Sequence, residues 1–139
     1  MEKYFLDEKL SFSIYADNKF KIVAKDCYHN IFKLISEYRK RFSSGEWKIA
    51  YGYVSSVDNI FCRHCFMLFG DKVIDPTVYA TKSDNSNRVY FVFRKFNTLD
   101  DYLDAIETEN GYPALNGVLR KADMNAQKWA LDNGYIFLG

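Results

Sequence analysis

Apolar residues recur every three or four positions along DCYHNIFKLISEYRKRF, residues 26–42, where Ile31, Leu34, Ile35, Tyr38 and Phe42 fall on one stripe. That spacing predicts an amphipathic helix. Asp26 stands where a cap belongs, and Ser43-Ser44-Gly45 supplies the stop. From Trp47 the period changes to two. Trp47, Ile49, Tyr51 and Tyr53 alternate along WKIAYGYV, and the apolar runs IFCRHCFMLF (60–69), KVIDPTVY (72–79) and RVYFVFRKF (88–96) follow. Four such runs predict an antiparallel meander. Thr98 caps a short helix, TLDDYLDAIE, and a second helix over about 115–131 follows Pro113 and is stopped by Asn133-Gly134. In the first 25 residues, SFSIYA (11–16) and FKIVA (20–24) each have the length and pattern of a strand. The polar stretch Thr81 to Arg88 reads as a surface loop. The order is helix, strands, helices. It predicts an α+β fold with the first helix packed on the sheet and all 139 residues in one domain.

Charge changes this picture little. Nineteen Lys and Arg stand against 18 Asp and Glu, and no basic run exceeds Arg39-Lys40-Arg41. A balanced chain of this kind does not advertise nucleic acid or an anionic membrane as its partner. No secretory leader and no membrane-spanning apolar stretch is visible. Three cysteines without framework spacing fit reduced thiols and a cytoplasmic location.

The candidate chemistry lies in CRHCFMLFGDKVIDPT, residues 62–77. Gly70-Asp71 between two apolar runs suits a two-residue turn with Gly first. The turn then pairs Phe69 with Lys72, Leu68 with Val73 and Phe66 with Asp75. In that register His64, Phe66, Leu68, Val73, Asp75 and Thr77 share one face, and His64 and Asp75 are diagonal neighbours about 7–8 Å apart. An imidazole and a carboxylate on an apolar face must satisfy each other or face a cleft. A carboxylate on one ring nitrogen fixes the tautomer and leaves the other nitrogen as a base. Cys27, one residue after the cap, is the candidate nucleophile. Helix N-terminal amides and the dipole favour a thiolate there and can hold an oxyanion.

A Cys at a helix N-terminus, then His64-Cys65-Phe66 on a strand, then Gly70 and Asp75-Pro76-Thr77, resembles the transglutaminase-like branch of the papain-like cysteine hydrolases. The resemblance covers residues 26 to 80. It implies a Cys27–His64–Asp75 triad acting on an amide, ester or thioester carbonyl. Transfer would go to water or to an amine, on a protein or peptide substrate, with no metal or organic cofactor. Asp26 stands where relatives carry a small residue, and Cys65-Phe66 replaces a small residue and Trp.

Each residue also has a plainer role. Cys27 lies on the apolar helix stripe and could be core filler. His64 could be a satisfied core histidine, and Asp75 a strand-end residue before proline. Cys62 shares the His64 face and is the fallback nucleophile. Cys62-Arg63-His64-Cys65 offers only one thiol pair, with the two cysteines on opposite strand faces, which argues against a structural zinc site. His29 reads as a surface residue. The rival function is a non-catalytic papain-like effector, of the compact kind phages encode, that binds and inhibits a host protein.

Overall fold

The computed structural model describes residues 1–55, 59–81 and 87–138. Its elements are β1 (Glu2–Leu6), α1 (Glu8–Asn18), α2 (Cys27–Glu37), α3 (Arg39–Ser43), β2 (Lys48–Ser55) and β3 (Ile60–Phe69). They continue with β4 (Lys72–Ile74), a 3₁₀ helix (Pro76–Ala80), β5 (Val89–Phe96), α4 (Leu99–Thr108), α5 (Arg120–Asp132) and β6 (Ile136–Leu138). The fold is mixed α and β. No helix among the described residues is long and apolar enough to cross a membrane.

The strands do not form a meander. Their order is β2-β5-β1-β4-β3, and β3 pairs back onto β2, so five strands close into a barrel. β6 adds to β3 in parallel. Two features of the sequence hid the closure. β1 begins with charged residues, Glu2 and Lys3, yet sits between β4 and β5. β2 looks half-buried by its alternation, but both its faces are covered. Trp47, Ile49 and Tyr51 face the helices, while Ala50 and Val54 pack inside the barrel with Tyr4, Phe66, Leu68, Val73 and Tyr90. Small residues suit an interior this narrow. At Gly52 an added Cβ would lie 1.9 Å from the Phe91 carbonyl oxygen.

SFSIYA is helical rather than extended. The Asp7 side chain accepts from the Leu10 amide at 3.0 Å and starts α1, which buries Ser11, Ile14 and Asn18. Polar residues on that buried face blurred the helical period. FKIVA is not a strand; it lies in the turns joining α1 to α2, with Ile22 buried. The predicted 26–42 helix breaks at Tyr38, whose φ of −123° and ψ of 34° separate α2 from α3. The break lets the Tyr38 ring pack at a tilt against Trp47 and its hydroxyl accept from the Asn18 amide group. α4 and its Thr98 cap are as expected, the hydroxyl accepting from Asp101 N at 3.1 Å. α5 starts later than expected because Leu115, at φ 52°, holds a left-handed turn while buried in the core. Of the loop expected at Thr81–Arg88, residues 82–86 lie outside the described residues.

α2, α3 and α4 cover one side of the barrel through Ile31, Leu34, Phe42 and Tyr102. α5 covers another through Ala126 and Ala130 against Phe61 and Phe91. The edge of β3 opposite β2 is shared. β4 takes Met67–Phe69 and β6 takes Ile60–Cys62, so among the described residues no strand pairs with Arg63 to Phe66 on that edge. The barrel wall opens there.

Candidate active site

The hairpin register is the expected one: Phe69 opposite Lys72, Leu68 opposite Val73, Met67 opposite Ile74. Gly70 supplies the turn with φ 59°. β4 ends at Ile74, because Pro76 has no amide for the ladder and its fixed φ starts the 3₁₀ helix instead. Asp75 is left at the junction with its carboxylate turned inward.

His64 sits in the gap in the barrel wall, on the face of Phe66 and Leu68. His64 Nε2 and Asp75 Oδ2 are 2.7 Å apart. Asp75 is fully buried, and the imidazole keeps some exposure toward the gap. The Tyr90 hydroxyl donates to the same Oδ2 at 2.7 Å, and the Asp75 amide donates to Ser11 Oγ at 3.0 Å. Asp75 Oδ1 has no hydrogen-bond partner among the described residues. Nε2 is engaged by Asp75, and Cys27 lines the same cleft and acts on the ring. Burial opposes charge on His64. The Asp75 carboxylate, its hydrogen bond and Cys27 outweigh that and push the imidazole up to about 10.

Cys27 is the first residue of α2, is only 5% exposed, and lines the cleft. Asp26 occupies the cap position but makes no capping bond; its Oδ1 lies 2.8 Å from His29 Nδ1. The expected cap is therefore corrected: the carboxylate turns outward to the half-solvated His29. The first helical bond is Asn30 N to Asp26 O at 2.9 Å. The amides of Cys27, Tyr28 and His29 consequently have no acceptor within the helix. Two residues earlier, Lys25 holds a left-handed φ of 62°. Such a conformation costs on the order of 1–3 kcal/mol and clusters at functional sites.

The other thiols separate cleanly. Cys62 is exposed on the rim of the cleft, whereas Cys65 is fully buried on the opposite strand face. Burial pushes the Cys65 thiol well up, aided by Cys27. No three His, Cys, Asp or Glu side chains among the described residues group to hold a metal ion.

The cleft has a volume of about 870 Å³ and runs from Lys25 and Cys27 past Arg63 and His64 to Thr77 and Arg88. Arg63 is fixed at its back. It donates to Asp123 Oδ2 at 3.0 Å, the Tyr28 hydroxyl at 2.7 Å and the Ala114 carbonyl at 3.0 Å. Its guanidinium also lies over the rings of Tyr28, Tyr51 and Phe93. Burial and the Arg63 charge compete at Tyr28, and burial prevails, raising the phenol to about 12.

The structure thus brings Cys27, His64 and Asp75 together. It adds residues that sequence reasoning missed. Tyr90 reads only as one more aromatic in an apolar strand. Ser11 reads as part of a strand that does not form. Asn30 is fully buried and donates to Thr77 Oγ1 at 3.1 Å and the Val23 carbonyl at 2.8 Å. It ties α2 to the segment after Asp75. A buried Asn one helical turn after Cys27 is the one signal that could have pointed to this tie. No protein-family model, curated protein or solved structure matches the chain.

Proposed function

We propose that the protein is a cysteine-dependent hydrolase or acyltransferase working through Cys27, His64 and Asp75. One observation carries the reading: a buried carboxylate holds one nitrogen of a cleft-lining imidazole at 2.7 Å, and the helix-start thiol lines the same cleft. The likeness to transglutaminase-like hydrolases, in the order Cys, His, Asp-Pro-Thr, supports it.

In this reading the imidazolium and thiolate form an ion pair, the usual route to an activated sulfur nucleophile. The Cys27 sulfur attacks a carbonyl carbon, and the oxygen takes the negative charge. The free amides at the start of α2 are donors for that oxyanion. Collapse breaks the bond to the leaving group, which takes the His64 proton, and a thioester to Cys27 remains. His64 then removes a proton from water or an amine, whose attack on the thioester frees the acyl product and returns the thiolate. Asp75 orients the ring and compensates its charge throughout.

The test is alkylation by iodoacetamide, followed at each cysteine by mass spectrometry across pH. Cys27 is expected to react rapidly below pH 8 and to lose that reactivity in His64→Ala. Cys65 stays unlabelled while the protein is folded. If Cys27 is inert, or reacts alike in both proteins, the enzyme reading fails and the binding-protein reading takes its place.

A further inference from the structure

Cys27 and His64 reach the one cleft from different layers of the fold. Cys27 packs with Cys65 in the core beneath the helices. The His64 ring lies against Phe66 and Tyr90, which belong to the barrel interior. One residue starts α2 and the other lies within β3, so no local rule of the chain sets the distance between them. A reacting pair must be held to within ~0.5 Å of its productive geometry. How the first turn of α2 sits on β3 therefore decides whether sulfur and imidazole meet.

A hydrogen bond crosses between α2 and β3 at this level, and it joins the immediate neighbours of the two residues. Arg63, just before His64, donates through Nη1 to the hydroxyl of Tyr28, just after Cys27, at 2.7 Å. Both ends of the bond are held. Arg63 Nε donates to Asp123 Oδ2 on α5, and Nη2 donates to the Ala114 carbonyl, each at 3.0 Å. Asp123 in turn accepts from Tyr53 and Gln127. The Tyr28 ring stacks on Tyr51, with 6.0 Å between centroids and 16° between planes, and the guanidinium lies over both rings. All three guanidinium nitrogens are used, each on a different partner, which the single nitrogen of a lysine would not reproduce. A buried ion pair such as Arg63–Asp123 is a weak source of stability, and its best-attested use is to fix register.

We propose that Arg63 and Tyr28 are positioning residues for the reaction, a clamp that sets the Cys27 sulfur against the His64 ring. The inference rests on the cysteine-hydrolase reading and names what places its two reacting groups. The clamp acts through position rather than through charge. The Tyr28 phenol, raised to about 12, stays neutral across the range in which a thiol titrates. Tyr28→Phe therefore removes the bond and leaves every charge in place, Arg63 included.

The test is the pH profile of Cys27 alkylation by iodoacetamide, read by mass spectrometry in wild type, His64→Ala, Tyr28→Phe, Arg63→Met and the double variant. In Tyr28→Phe the half-point of the profile is expected to rise by about 1 pH unit, a ~10-fold loss of labelling below it. Above pH 9, where the thiol ionises unaided, the rate should stay within ~2-fold of wild type. Cys65 should remain unlabelled. Adding Tyr28→Phe to Arg63→Met should move the half-point no further, since both changes remove one bond. A Tyr28→Phe profile that matches wild type overturns the clamp. So does a shift that repeats in full in the Arg63→Met background, and so does labelling of Cys65 in Tyr28→Phe, which would make the bond a general support of the fold. Arg63→Met strips Asp123 of its cation, and if that variant does not fold, Tyr28→Phe decides by itself. His64→Ala keeps the two readings apart. If it loses the low-pH reaction while Tyr28→Phe retains it, the clamp fails and the triad stands. If it reacts as wild type does, the triad fails and the clamp has nothing to position.

Discussion

His64 Nε2 and Asp75 Oδ2 lie 2.7 Å apart, with the carboxylate fully buried and the ring open to the cleft. The pair sits where β3 loses its neighbour on one edge. A buried carboxylate facing a solvent-side imidazole sets the ring's charge from within, and Cys27 lines the same cleft. Asp75→Asn keeps the shape and removes the charge. Burial then acts on His64 without its main opponent, and the ring is expected to be neutral near pH 7. Alkylation of Cys27 at pH 7 should fall ~10-fold or more with the protein still folded. An unchanged rate in a folded variant would show that Asp75 does not govern the thiol.

Tyr90 donates to the same carboxylate oxygen from inside the barrel. Asp75 Oδ1 already lacks a partner, so the loss of this donor is not readily made good. Tyr90→Phe should therefore lower the stability by ~1–3 kcal/mol, the usual cost of stripping a bond from a buried charged group. The urea midpoint should drop with the slope unchanged. A midpoint within error of wild type would mean that the hydroxyl contributes nothing to holding Asp75.

The part of this site that was legible in the sequence was the part governed by local rules. Gly70 at a two-residue turn fixes which residues face each other, and from that His64 and Asp75 fall on one face. Cys27 follows from the helical period and its first position. What was not legible depends on closure. Nothing local says that β5 returns to β2, or that EKYFL inserts as β1, because pairing partners are chosen by the whole barrel. Tyr90 joins Asp75 only once that closure is made. Ser11 was hidden because a helix with a polar buried face resembles a weak strand. The Asp26 cap failed for a nearer reason. His29, three residues on, competes for the same carboxylate.

The raised imidazole gives stability a definite pH dependence. His64 is held at about 10 when folded against 6.5 when unfolded. Its contribution is therefore full below pH 6.5, shrinks above it as the unfolded chain loses its proton, and is gone once the pH passes about 10. Each pKa unit of the difference corresponds to ~1.4 kcal/mol. The measurement is the urea midpoint of wild type and His64→Gln from pH 6 to pH 10, compared pair by pair so that other titrations cancel. The wild-type advantage should decline steadily across that window. A difference that stays constant would mean that the imidazole is not held protonated by the fold.

Barrel closure itself is tested at two glycines that are needed for different reasons. At Gly52, beside the register shift between β2 and β5, an added Cβ would sit 1.9 Å from Phe91 O and 2.9 Å from Phe91 C. Both atoms are backbone, so no side chain can swing aside, and the two strands would have to part. At Gly70 an added Cβ would meet nothing within 4 Å, and only its φ of 59° resists substitution. Gly70→Ala should cost ~1–2 kcal/mol, the left-handed penalty of one residue. Gly52→Ala should cost ~3 kcal/mol or more, since overpacking against backbone has no cheap relaxation. Chemical denaturation of both variants checks the order. If Gly52→Ala proves the milder change, β2 and β5 do not approach as closely as the closed barrel requires. The gap beside His64 would then need another frame.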